Sequence, residues 1–150
     1  MRRRSVQQSS APRAAPAARP EIPPRSIRSK YADRRTANGV PSLTWNSAKE
    51  QEALDRIKAV AQSGQLSHAG MPGSAENLTY VLGYGDTNTF YTNYYNSPSH
   101  NANMLYYSTN ATSHSMVSAT CIVTSGGVNS YYNVLIIYTT YPDSFVEWEW

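Results

Sequence analysis

The strongest constraint on the fold lies in the last third of the chain, where the apolar pattern takes a period of two. In "SMVSATCIVT", residues 115–124, Val117, Ala119, Cys121 and Val123 alternate with mostly polar neighbours, as in a strand with one buried face. "SGG" then turns the chain, and "SYYNVLIIYTTY", residues 130–141, is apolar on both faces. A strand of that kind needs cover above and below, because each face left in water forfeits about 25 cal/mol per Å² of apolar surface. The covering layers have to come from the segments that precede the hairpin.

Those segments read as helices. In "SAKEQEALDRIKAVAQSG", residues 47–64, Ser47 and Glu50 have the spacing of a capping box and Gly64 marks the stop. Leu54, Ile57, Val60 and Ala61 recur there on one face. "YADRRTANG", residues 31–39, predicts a short helix closed by Gly39, with Pro41 forbidding its continuation and "LTWN" following as an apolar anchor. "TNTFYTNYYN" predicts a further helix, capped by Asp86 or Thr87, burying Phe90, Tyr91, Tyr94 and Tyr95 and limited by Pro98. Between Gly70 and Gly85 the chain reads mostly as loop, with "NLTYVL" extended. Helices early and a hairpin late predict an α+β fold, an α–β–α sandwich around a central, mostly antiparallel sheet.

Tyrosine replaces much of the usual leucine and isoleucine: there are 12, and 11 of them lie from Tyr80 onward. Their hydroxyls require hydrogen-bond partners at the edges of the core. Charge divides the chain in two. Residues 1–35 hold ten basic side chains against two acidic ones, +8, whereas residues 36–150 hold three against eight, −5. The net charge of +3 therefore belongs to the leader, and the acidic remainder gives no reason to expect a nucleic-acid partner. Residues 1–30 carry five of the nine prolines and few large apolar residues, so they are expected to be disordered, with the domain running over 31–150. A solvated leader without a specific partner is the plainest reading of such a charge run. An anionic-surface or nucleic-acid arm, an organellar transit peptide and a wrongly assigned start are the alternatives. The chain has no run of about 20 apolar residues to span a membrane, and "MRRR" is not followed by the apolar stretch of a secretory signal. Cys121 is the single cysteine and cannot form an internal disulfide.

"SHAGMPGSAENL", residues 67–78, sets His68 eight positions ahead of Glu76. Gly70, Pro72 and Gly73 break the run too often for a helix or a paired strand, so the two meet only if the fold folds them together. A third partner would have to come from elsewhere in the chain; were it a second histidine, two neutral imidazoles and one carboxylate would make a three-ligand set for Zn²⁺ with an open fourth position. Water at that position ionises near neutral pH, which makes hydrolysis chemically accessible. The plainer alternative is a hydrogen-bonded cluster in which a carboxylate orients the imidazoles.

"NGVPSLTWNS", "SHAG", "AENL" and "NSPSHNANML", in that order from about Tyr31 to Tyr141, resemble the motifs of the CAP superfamily (cysteine-rich secretory proteins, antigen 5, pathogenesis-related 1 proteins) in its short microbial form. The resemblance implies an α–β–α sandwich with a surface cleft in which His68, Glu76 and His100 converge and can hold a divalent metal such as zinc. It implies a cleft wall drawn from Asn77, Tyr94, Tyr95 and Ser97, and an extracellular location. Relatives commonly bind sterols or other lipids or act as secreted effectors on cell-surface components, so a binding module is one expectation. A metal-dependent hydrolase with Glu76 as general base is the other. Several positions depart from the family pattern. Ala75 and Ser99 stand where glycines are usual, and Asn101 where a basic residue is usual. The second glutamate expected ahead of "NSPSH" is missing, and Asp86 is the nearest carboxylate.

No serine nucleophile is indicated, because Ser97 and Ser99 lie too close to His100 in sequence and no G-x-S-x-G elbow is present. His114, in the polar "TNATSHS", is expected in solvent. Asn77 and Asn110 head glycosylation sequons, relevant only to a secreted eukaryotic protein; Asn77 is discounted because it sits inside the site motif. Trp148 and Trp150 close the chain without an assigned role.

Overall fold

The computed structural model describes residues 5–8 and 24–143, with side chains from residue 27 onward. The predicted hairpin is its centre. Strands β4 (Ser113–Ser125) and β5 (Val128–Thr140) pair antiparallel along their whole length, from Ser113 opposite Thr140 to Ser125 opposite Val128. Gly126 and Gly127 join them with φ of 61° and 78°, the left-handed pair that a two-residue hairpin turn requires. Strand β3 (Ala75–Leu82) lies antiparallel on the other side of β5. Strands β1 (Ser5–Gln8, antiparallel) and β2 (Thr44–Trp45, parallel) share the free edge of β4. The path through the sheet is β1-β4-β5-β3.

Helices cover both faces, so the fold is the predicted α–β–α sandwich. Helix α2 (Glu50–Ser63) packs Ala53, Ile57, Val60 and Ala61 against Leu78, Val117, Ala119, Cys121, Val134 and Ile136. Helices α1 (Pro24–Ala37), α3 (Thr87–Asn96) and α4 (Pro98–Met104) lie on the opposite face. There Ile27, Tyr31, Phe90, Tyr94 and Met104 meet Met116, Ile122, Tyr131, Leu135 and Ile137.

Several expectations need correction. Strand β4 is buried on both faces from Met116 to Val123, not half-buried. Its inward Ser118 and Thr120 are accommodated by Asn133, whose Nδ2 donates to both hydroxyl oxygens and to Ala119 O, each at 3.1 Å. Tyr94 completes this network by donating to Asn133 Oδ1 at 2.6 Å. The helix expected to start at Tyr31 begins at Pro24, where a proline forfeits no helical hydrogen bond. Ile27, Tyr31 and Arg35 then form one buried stripe at i, i+4 and i+8. The boundary placed at residue 30 therefore falls inside α1, and Ser5–Gln8 is paired as a strand; residues 9–23 lie outside those described, as do Trp148 and Trp150. The Ser47–Glu50 capping box does not form. Ser47–Lys49 is a 3₁₀ turn without a side-chain cap, and Glu50 instead accepts the Trp45 indole N–H at 2.7 Å.

Candidate functional site around Glu76

Glu76 sits on β3, opposite Ile136 of β5, so the stretch "AENL" is a paired strand and not loop. Successive side chains of a strand face opposite ways. Glu76 and Leu78 thus turn toward α2, while Ala75 and Asn77 turn toward α1, α3 and α4. The loop that delivers this register docks through Gly73. A Cβ there would overlap Ile136 and stand 2.6 Å from Ile137 O, so glycine is what allows the close approach. Ser74 N–H then donates to Ile137 O at 2.8 Å and fixes the start of the strand.

The Glu76 side chain is fully buried, and its charge is met by Arg56. Arg56 projects from α2 beside the buried Ala53–Ile57–Val60 face. Its Nε donates to Oε2 at 2.7 Å and its Nη2 to Oε1 at 2.8 Å, a two-point fork on the carboxylate. The same guanidinium reaches Ser67 O at 2.8 Å and Ala69 O at 3.0 Å. Those two carbonyls flank His68, so Arg56 ties the histidine loop down on either side of the residue it presents. The bond to Glu76 pushes the Arg56 pKa above its ordinary value. His68 Nδ1 stands 3.0 Å from Glu76 Oε1. A carboxylate accepts, so Nδ1 carries a proton in this bond, and in the neutral imidazole Nε2 then keeps the lone pair. Half of the His68 side chain is exposed.

His100 approaches from α4. Asn77 and Asn103 connect the two motif segments. Asn77 Nδ2 donates to Tyr31 Oη at 2.9 Å and to His100 O at 3.0 Å. Asn103 Nδ2 donates to Asn77 Oδ1 at 3.1 Å and to Glu76 O at 3.0 Å. The far end of α4 is held by Arg35, itself fully buried, which donates to Met104 O, Tyr106 O and Pro41 O. The His100 ring meets Tyr94 edge-on at 5.4 Å, and its Nδ1 is buried without a hydrogen-bond partner among the described residues. Burial, and then the charge of nearby His68, lower its pKa.

The expected residues therefore separate. His68 and Glu76 are in contact, whereas His100 contacts Asn77 and Tyr94 and completes no metal-holding group of three with them among the described residues. Asn77 and Tyr94, expected in a cleft wall, are 1% and 0% exposed and hold the core together through their polar groups. Tyr95 is exposed, with the Arg34 guanidinium 4.9 Å from its ring centroid. Ser97 is half-buried at the N-cap of α4, where its side chain makes no cap bond. Asp86 caps α3, accepting from Thr89 N–H and Oγ1 at 2.9 Å. His114 is buried, not solvated, and Nε2 accepts from Ser108 N–H at 3.0 Å. Asn77 has its amide engaged on both sides, which leaves no room for a glycan; Asn110 is exposed. Arg56, Asn103 and Arg35 were not singled out by the sequence. The available signals were a basic residue bordering the apolar face of α2 and an asparagine one helical turn after His100.

Whether these residues fit a divalent metal turns on Glu76. Both carboxylate oxygens already accept from Arg56, and one also contacts His68. A divalent ion beside the guanidinium would meet a repulsion of about 4 kcal/mol per unit charge at 4 Å in the dielectric of a protein surface. No group of three His, Cys, Asp or Glu placed to hold a metal exists among the described residues. As arranged, the donor set does not fit the ion. A hollow of about 560 Å³ lies past the end of α2, lined in part by Leu66, Tyr80, Val123 and Tyr132 and by none of His68, Glu76 or His100.

Residues 28–134 match the family model described as the cysteine-rich secretory protein family, CAP. No curated protein sequence matches. Among solved structures, the chain is similar to an outer surface protein of Borrelia burgdorferi, with a TM-score of 0.49 and 14% identity over 79% of this chain and 92% of that one. It is also similar to an extracellular SCP-domain protein from Bacillus anthracis, with a TM-score of 0.47 and 13% identity over 74% of this chain and 39% of the other. A cysteine-rich secretory protein from Staphylococcus aureus gives a TM-score of 0.38 and 15% identity, over 73% and 36%. The motif order and the family match across most of the domain agree: the chain belongs to the CAP family of cysteine-rich secretory proteins.

Proposed function

We propose that the chain is an extracellular-type CAP binding module that takes a small amphipathic ligand at the loop 64–74, without catalysing a reaction on it. The observation that carries this reading is the two-point Arg56–Glu76 pair. A fully buried carboxylate held by a guanidinium has no free lone pair turned to solvent with which to act as general base, which weighs against the hydrolase reading. The loop supplies complementary features for binding. In its neutral form His68 offers Nε2 as an acceptor for a ligand hydroxyl, and the exposed Leu66 and Met71 offer apolar contact on either side of it in sequence. Leu66 also borders the 560 Å³ hollow, whose size lies within the range of about 300–1,000 Å³ usual for small-ligand sites. A sterol, with one hydroxyl on an apolar body, has this chemistry.

Titration of the full chain with cholesterol tests the proposal. Saturable binding, weakened at least tenfold in Leu66→Asp, is the expected result. Binding that is absent, or unchanged in that variant, would sink the reading. Zn²⁺-stimulated ester hydrolysis lost in Glu76→Gln would favour the hydrolase.

A further inference from the structure

Glu76 is a carboxylate removed from water, and such a group needs a cation beside it. The described residues supply one from within the chain. Arg56 contacts both carboxylate oxygens, and its remaining contacts, to Ser67 O and Ala69 O, hold the loop on which His68 rides. One side chain thus neutralises the acid, orders the histidine loop and occupies the acid's lone pairs. These are the tasks that a metal ion bound between a histidine and a carboxylate performs in other proteins.

We propose that Arg56 is the resident cation of this site, standing on Glu76 where a divalent metal would otherwise bind and keeping the His68–Glu76 pair ordered without one. The geometry makes the substitution specific to arginine. A guanidinium presents parallel N–H groups that match two carboxylate oxygens and still has N–H groups left for the two loop carbonyls. A metal at the same place would draw on the Glu76 oxygens and a histidine nitrogen, and would meet Arg56 as a like charge. Removing the guanidinium should therefore uncover a latent metal site made of Glu76 and His68.

The inference does not depend on which ligand the loop takes, so it and the cholesterol titration fail separately. The test is calorimetric titration of the full chain with ZnCl₂ at pH 7.5, on wild type, His68→Ala, Arg56→Gln and the Arg56→Gln, His68→Ala double variant. Wild type and His68→Ala are expected to give the same isotherm. Arg56→Gln is expected to acquire a site at least tenfold tighter than anything in wild type, abolished in the double variant. A wild-type site that disappears in His68→Ala overturns the proposal, as does a folded Arg56→Gln that binds no better than wild type. Should Arg56→Gln be unfolded in buffer, thermal unfolding with and without ZnCl₂ decides instead. Folding restored by the metal in Arg56→Gln but not in the double variant sustains the assignment, and no restoration overturns it.

Discussion

Asn103 Nδ2 is shared between Glu76 O and Asn77 Oδ1, so this one amide joins α4 to the strand that carries the acid. Removing it leaves buried Asn77 Oδ1 without that donor, and a buried polar group stripped of its partner costs about 1–3 kcal/mol. Asn103→Ala should lose stability in that range by urea unfolding; a change below about 0.5 kcal/mol would show that water replaces the amide at no cost. At this scale the sequence was partly legible. The order of "SHAG", "AENL" and "SPSHNAN" pointed to His68, Glu76 and His100 as one site; His68 and Glu76 are in contact, and no metal-holding group of three includes His100 among the described residues. Arg56 was not singled out, because its partner lies 20 residues away and its place beside the apolar face of α2 does not by itself say that it crosses to the sheet. The asparagines were passed over for the histidines, although they hold the two motifs together.

Among the elements, α3 shows how a cap is chosen. Asp86 was one of two candidates, and its carboxylate takes the Thr89 N–H and hydroxyl. The Thr89 N–H bond holds that carboxyl below the usual range. The native state therefore binds a proton less readily than the unfolded chain does. The stability Asp86 provides is complete above the unfolded carboxylate pKa of about 3.9 and is lost as pH falls through the lower folded value. Asp86→Ala should cost about 1 kcal/mol at pH 7, and the cost should shrink toward pH 2; a cost independent of pH would contradict the cap. Elsewhere the apolar period predicted the elements but not their layers. The hairpin and the stop of α2 at Gly64, where φ is 70°, were written in local sequence. The full burial of β4 was not, because Ser118 and Thr120 look like solvent positions until Asn133 of β5 pairs with them. The capping box failed for a similar reason, since Trp45 competes for Glu50 across a turn.

For the molecule as a whole, the acid response combines contributions from two buried or part-buried histidines. Burial, and then the charge of Arg35, lower the pKa of His114, which lies against Tyr106 and Tyr107 and accepts a backbone hydrogen bond through Nε2. Unfolded His114 takes up its proton near pH 6.5, and the folded form does so only at lower pH. In that window the unfolded state binds more protons, so stability falls as pH drops below about 6.5 and levels off below the folded value. His114→Gln should flatten the fall of the thermal midpoint between pH 6.5 and 5, and an unchanged slope would count against this origin. His100 contributes with the same sign.

Whether a guanidinium or a metal stands on Glu76 is read most directly from a crystal structure of wild type grown with excess ZnCl₂ at pH 7.5 and measured at the zinc absorption edge. Arg56 is expected forked on both Glu76 oxygens, with no anomalous peak at the carboxylate. A peak about 2 Å from Glu76 and from a histidine nitrogen, with Arg56 turned away, would contradict this expectation.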